Sequence, residues 1–221
     1  MKPLESPYEI AEFGDIRVFF APELDGGGSG YGQDYISFLQ QNLGPQNCVF
    51  EWCAGPGFIG FSILAHGLCD SLCLADVNPA AVEACRITIR ENGLEDRVTI
   101  YESDGLLQIP ESERWDLVVG NPPHSGSDRK IESILKPAIV YQDVDWKIHR
   151  QFYQTIANHL APGGQVVIQE NAMFSDGDTF RDMIEENGLE IVATPKCLST
   201  WRDCYYYVWS RPVSRQPSWT E

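Results

Sequence analysis

No run of about 18 consecutive apolar residues occurs in this 221-residue sequence, so no membrane-spanning helix is expected. The opening Met1-Lys2-Pro3-Leu4-Glu5 lacks the charged-then-apolar order of a signal peptide. Cys48, Cys53, Cys69, Cys73, Cys85, Cys197 and Cys204 include no Cys-x-x-Cys pair, and no Cys/His cluster has zinc-ligand spacing. Reduced core thiols in a cytoplasmic protein are the simplest account, and no metal is implied. Positive charge is scarce as well. Lys and Arg total 16 against 32 Asp and Glu, a net charge of −16. A nucleic-acid binder normally carries a basic patch or stripe. Arg129, Lys130, Lys136, Lys147 and Arg150 come closest, but Asp128, Glu132, Asp143 and Asp145 lie among them. An acidic surface repels phosphates over about 8 Å at physiological salt, which argues against a large nucleic-acid substrate.

The most informative stretch is Asp116 to His124, Asp-Leu-Val-Val-Gly-Asn-Pro-Pro-His. Leu117 to Val119 read as a strand buried on both faces. Pro122 and Pro123 cannot donate to a ladder, so the strand ends at Gly120 and Asn121 to His124 hang from its carboxyl end. Ligands of open α/β sheets bind at that edge. The Asn121 side-chain carbonyl and the Pro122 carbonyl are two acceptors held close together. Such a pair can grip both hydrogens of a planar NH2 group and aim its lone pair outward. His124 offers a flat ring for stacking. This is positioning chemistry.

Other signals fall in register with that motif. Ile16 to Phe20 read as a short strand. Asp25 to Asp34 contain five glycines in ten residues, a flexible linker or a flap over the site. Tyr31 and Gln33 lie in it, and a helix over Asp34 to Asn42 follows, with Ile36, Phe38 and Leu39 inward. Cys48 to Glu51 read as the first core strand. It enters Glu51-Trp52-Cys53-Ala54-Gly55-Pro56-Gly57-Phe58-Ile59-Gly60, a glycine turn that lets backbone approach a ligand. A second strand ends at Asp76, followed by a helix with Asn78 as N-cap and Pro79 at its first position. Asp76 lies 19 residues past Gly57, the place of an acid that binds two ribose hydroxyls in NAD and S-adenosylmethionine (SAM) sites alike. Val98 to Glu102 form a third strand before Ser103-Asp104-Gly105. The Asp104 carboxylate suits an adenine amino group.

Ser125 to Asp145 form a long loop leaving the motif, with a short helix over Ile131 to Leu135, and are read as substrate-recognising. Trp146 to Leu160 are helical, with Ile148, Phe152 and Ile156 inward. His149 and His159 are read as surface or boundary residues. Gln165 to Gln169 form the fifth strand, Asp178 to Asn187 a helix, and Glu190 to Ala193 and Cys204 to Ser210 the last two strands.

Together these residues resemble class I SAM-dependent methyltransferases. Asn121-Pro122-Pro123-His124 resembles the Asn-Pro-Pro-aromatic motif of the N-methyltransferases, a group that includes adenine-N6, guanine-N2 and protein-glutamine enzymes. Its fourth residue is usually Tyr, Phe or Trp. Glu51, Cys53, Gly55 and Gly57 resemble the first motif of the class, with Cys53 where glycine is commonest. The resemblance covers Cys48 to Ser210. It implies a three-layer α/β, Rossmann-like sandwich around a seven-stranded, mostly parallel sheet with an antiparallel last strand. It also implies a flap or substrate-cap segment at 1–44 and a methyltransferase domain at 45–210, while the Pro-, Ser-, Arg- and Gln-rich composition of 211–221 predicts a disordered tail. Cofactor contacts are expected from Glu51, Cys53, Ala54, Gly55, Gly57, Asp76, Val77, Asp104, Gly105 and Asn121. The Glu51–Gly57 turn takes the methionine end of SAM. Substrate contacts are expected from Tyr31, Gln33, Asn121, Pro123 and His124, with Asn121, Pro122 and His124 catalytic. The acidic charge favours a small molecule or protein side chain as acceptor. A base amino group in RNA or DNA is the alternative, and a non-catalytic partner subunit of an active methyltransferase the third reading.

Overall fold

The computed structural model describes residues 8–24, 30–124, 141–197 and 204–213. Strands β1 (Glu9–Phe13) and β2 (Ile16–Phe20) form an antiparallel hairpin. There follow α1 (Tyr31–Asn42), β3 (Gln46–Trp52), α2 (Phe58–Ala65), β4 (Cys69–Asp76), α3 (Pro79–Glu91), β5 (Val98–Glu102) and β6 (Trp115–Gly120). The chain continues with α4 (Lys147–Ile156), β7 (Leu160–Asn171), α5 (Arg181–Glu185), β8 (Leu189–Ala193) and β9 (Tyr205–Pro212).

Seven strands make one sheet in the order β5-β4-β3-β6-β7-β9-β8. β9 is antiparallel to both neighbours and every other pair is parallel, as expected. Alternate residues of the central strands enter two separate cores, because side chains alternate across a pleat. Leu72 and Leu74 join Ile63 and Leu64 of α2 and Val119 of β6. Cys73 and Ala75 join Phe152 of α4 and Ile184 of α5. Helices therefore cover both faces, giving three layers. The chain runs outward from β3 through β4 to β5, then returns to β6 on the other side of β3. In open α/β sheets such a reversal is where ligands bind, outside the carboxyl ends of the strands, here β3 and β6.

Local chemistry accounts for the elements. Asn78 caps α3 by accepting from the Ala80 N–H at 3.0 Å, with Pro79 at the first helical position. Val82, Cys85 and Ile89 are buried on its inner stripe. Gly120 permits a close approach between strands, since a Cβ there would lie 2.6 Å from the Trp52 carbonyl oxygen. Tyr35 of α1 is fully buried beneath that point, its hydroxyl 2.8 Å from the Gly120 carbonyl and 2.9 Å from that of Val167.

Several boundaries differ from the sequence reading. α1 begins at Tyr31, so Gly30 to Asp34 enter a helix, while 25–29 lie outside the described residues. α4 stops at Ile156, and a 3-10 turn over Ala157–His159 leads directly into a twelve-residue β7. Helical character at 178–187 divides into a 3-10 turn at Gly177–Phe180 and the short α5. β9 continues through Pro212, so Arg211 and Pro212 are strand rather than tail, paired with Glu190 and Leu189. Most of the loop after His124, including 131–135, lies outside the described residues, as do 214–221.

Candidate active site

The expected cofactor residues collect along one sheet edge. The turn after β3 winds tightly, with Cys53 at φ 53°, Gly55 at φ 52° and Gly57 at φ 80°. These are left-handed conformations, which cost a non-glycine residue about 1–2 kcal/mol, so Cys53 is strained. Gly57 could not readily be replaced, because a Cβ would also meet the Phe61 ring at 2.7 Å. The Asp76 carboxylate braces this turn from the tip of β4. It accepts from the Gly55 N–H at 2.7 Å and from the Asn78 N–H at 2.8 Å. Burial pushes the Asp76 carboxyl up, and the N–H groups of Asn78, Gly55 and Val77 work against that shift. Val77 beside it is exposed, an apolar surface at the strand tip. Asp104 is exposed one turn beyond β5, and the Ser103 N–H donates to the Asp76 carbonyl at 2.9 Å, tying the two tips together.

Glu51 sits deeper. It is 2% exposed and accepts from the Gly60 N–H at 2.7 Å. Burial pushes its carboxyl up to about 8, although the Gly60 and Ile59 N–H groups favour the ionised form. It therefore supports the start of α2 from beneath the turn.

Asn121 follows β6 at its carboxyl end, with Pro122 and Pro123 buried behind it. Its Oδ1 is buried and has no hydrogen-bond partner among the described residues. A buried acceptor left unpaired costs about 1–3 kcal/mol, so such an atom calls for a ligand or other partner. α1 packs beside it. Asp34 Oδ2 accepts from Gln169 Nε2 at 3.3 Å at the end of β7. Gln33, one residue earlier, is exposed; Tyr31 opens the same helix.

Residues 17–189 match the family described as the methyltransferase small domain. The chain belongs to this family. A release factor glutamine methyltransferase of Leptospira interrogans is 33% identical over 108 residues, 48% of this chain and 37% of that protein. A ribosomal RNA small subunit methyltransferase C of Actinobacillus pleuropneumoniae is 34% identical over 125 residues, 55% of this chain and 36% of that protein. The matched part thus spans little more than a third of each of these relatives. In fold, the chain is similar to the 16S rRNA N2 methyltransferase of T. Thermophilus, solved in complex with AdoMet and guanosine. The TM-score is 0.66 at 19% identity, covering 96% of this chain and 52% of that one.

This methyltransferase domain also holds a cluster that the sequence reading missed. His149 and His159 are not surface residues. They are 0% and 6% exposed. His149 heads the true inner stripe of α4, with Phe152, Tyr153 and Ile156 at i, i+3, i+4 and i+7. Its Nδ1 lies 2.6 Å from Asp143 Oδ2 and its Nε2 lies 2.8 Å from Glu170 Oε1. Glu170 Oε2 lies 3.2 Å from His124 Nδ1. Burial alone would lower the His149 pKa, but the Glu170 charge and the hydrogen bonds to Asp143 and Glu170 outweigh it and push it up to about 9. Burial likewise opposes ionisation of Glu170, and the His149 charge with the two histidine hydrogen bonds holds its carboxyl below the usual range. His124 is half-buried, with the Tyr205 ring edge-on at a centroid distance of 5.5 Å.

Proposed function

We propose that this domain transfers a methyl group from SAM to a planar nitrogen, and that its motif is of the Asn-Pro-Pro-aromatic type. The observation that carries the reading is the buried, unpartnered Oδ1 of Asn121 at the switch point of the sheet. The turn fits the cofactor. Each Asp76 oxygen accepts one backbone N–H and keeps a further lone pair for a ribose hydroxyl. Cys53, Ala54, Gly55 and Gly57 present close backbone for the methionine end, Val77 an apolar face, and Asp104 with Gly105 polar groups for adenine. SAM supplies an electrophilic methyl group. The chain supplies orientation: Asn121 Oδ1 and the Pro122 carbonyl accept the two N–H groups.

A protein side-chain amide or a small molecule is the favoured acceptor, on the net charge of −16 and the relative named as a glutamine methyltransferase. A base amino group in RNA is the second reading, supported by the relative named as a ribosomal RNA methyltransferase. Among the described residues no helix is long and apolar enough to cross a membrane.

The test uses methyl-labelled SAM, the purified chain and a size-fractionated cell extract. We expect label in small molecules or in material removed by protease. Nuclease-sensitive label would establish the RNA or DNA reading instead. A chain without SAM affinity would be a non-catalytic partner subunit. Asn121→Ala should lower turnover by about 10²–10³-fold, the scale for loss of one oriented hydrogen-bonding group, and leave SAM affinity within a few-fold. An equal fall in SAM affinity would make Asn121 a cofactor ligand rather than the gripping group.

A further inference from the structure

The Asp143–His149–Glu170–His124 chain is more than its neighbours need. Asp143 is fully employed. Its Oδ1 accepts from the Ile148 N–H at 2.9 Å, and its Oδ2 from the His149 N–H at 3.1 Å as well as from the ring. His149 lies between two carboxylates and donates from both ring nitrogens, so it is an imidazolium. The three buried groups then carry one net negative charge, and it faces His124 through Glu170 Oε2.

That contact fixes a tautomer. An ionised carboxylate only accepts, so His124 Nδ1 carries the hydrogen and the lone pair of the neutral ring is on Nε2. Nε2 has no partner among the described residues, and the His124 side chain is 14% exposed. It hangs from the same motif as the unpartnered Asn121 Oδ1, at the same sheet edge.

We propose that His124 Nε2 is the proton acceptor of the methyl transfer, and that Glu170, anchored by His149 and Asp143, is its positioning residue. This rests on the methyl-transfer reading above and narrows its substrate class. The acceptor is an amide or guanidine-type nitrogen, whose lone pair is delocalised until a proton leaves. As the nitrogen–carbon bond forms, the carbon–sulfur bond of the donor breaks and its electron pair stays on sulfur. Of the two N–H groups, one stays on Asn121 Oδ1, and the other leaves the Pro122 carbonyl and gives its proton to His124 Nε2. The new positive charge faces the net negative charge of the cluster at Glu170 Oε2, and the proton then leaves to water.

Two measurements test this. Nitrogen NMR of 15N-histidine-labelled protein should find His124 as the Nδ1–H tautomer, and Glu170→Gln should give a mixture of tautomers. His124→Phe keeps a flat ring without a base. Against the size-fractionated extract and labelled SAM it should bind SAM as the unaltered protein does and transfer methyl about 10²-fold or more slowly, the scale of general base catalysis. Equal labelling by the unaltered protein and His124→Phe would mean that the ring only stacks, and would overturn this proposal alone. A predominant Nε2–H tautomer would also overturn it. No labelling by the unaltered protein would overturn the parent reading and this one with it.

Discussion

Replacing His149 by Phe should reverse the sign of part of the protein's pH dependence. The ring would keep its surroundings, stacked on Phe180 at 4.9 Å and edge-on to Trp52 and Trp146, both at 5.4 Å. The charge would go. In the native protein the His149 pKa is about 9, against an ordinary value of 6.5. A folded-state pKa raised in this way adds stability that is complete below about 6.5 and is lost as pH rises through about 9. Linkage gives about 2–3 kcal/mol at pH 7 and almost none by pH 9.5. Glu170, held low, adds stability that is lost as pH falls below its ordinary range. Without His149, Asp143 and Glu170 are buried carboxylates lacking their cation, a loss of about 3–5 kcal/mol at pH 7. Each then prefers its proton, so the variant should recover stability from pH 7 to pH 5. Other buried carboxyls, Glu51 and Asp76 among them, act on both proteins alike. The quantity to measure is therefore the difference between urea-unfolding free energies at pH 5, 7 and 9.5. It should be largest near neutrality and shrink at both ends. A difference constant across that range would refute the ion cluster, and leave His149 as a packing residue.

Two further outcomes are expected. If Glu51 ionises to meet the ammonium of SAM, its pKa of about 8 means that binding releases a proton. Affinity should then rise about 20-fold between pH 6 and 7.5, and the heat of binding should vary with the buffer's ionisation enthalpy; a flat profile would leave Glu51 as support for the turn alone. Tyr35→Phe removes the buried hydroxyl that meets Gly120 and Val167, and should cost about 1–3 kcal/mol by urea unfolding. A loss under about 0.5 kcal/mol would mean that the backbone groups find other partners.

The sheet was legible because its strands are short apolar runs ended by strong signals. Gly55 and Gly57 follow the first core strand, Asp76 and Asn78 the second, Gly120 and Pro122 the fourth. These are local, and the parallel order follows once helices alternate with strands. The antiparallel final strand came from the family resemblance rather than from any residue. The buried cluster was illegible for a different reason. Asp143 and His149 share one stretch, but His124 and Glu170 lie elsewhere in the chain, and only the fold brings them to it. One signal was available. Taking Ile148 rather than His149 as the head of the α4 stripe left Tyr153 unexplained, whereas the spacing 149, 152, 153, 156 accounts for every buried residue of that helix. A polar residue at the head of an apolar stripe needs a partner. Its identity is a tertiary fact.

The cluster also constrains how such a sequence can drift. Where the fourth motif residue is a carbon ring, Glu170 Oε2 loses its histidine, and a buried carboxylate opposite His149 keeps a cost without its contact. Where Glu170 changes first, His149 Nε2 and His124 Nδ1 lose the acceptor they share. The four side chains form a unit of inheritance in which single changes are penalised and joint replacement is tolerated. Sequences descended from the same ancestor should therefore show His124 and Glu170 gained or lost together, with His149 and Asp143 following them.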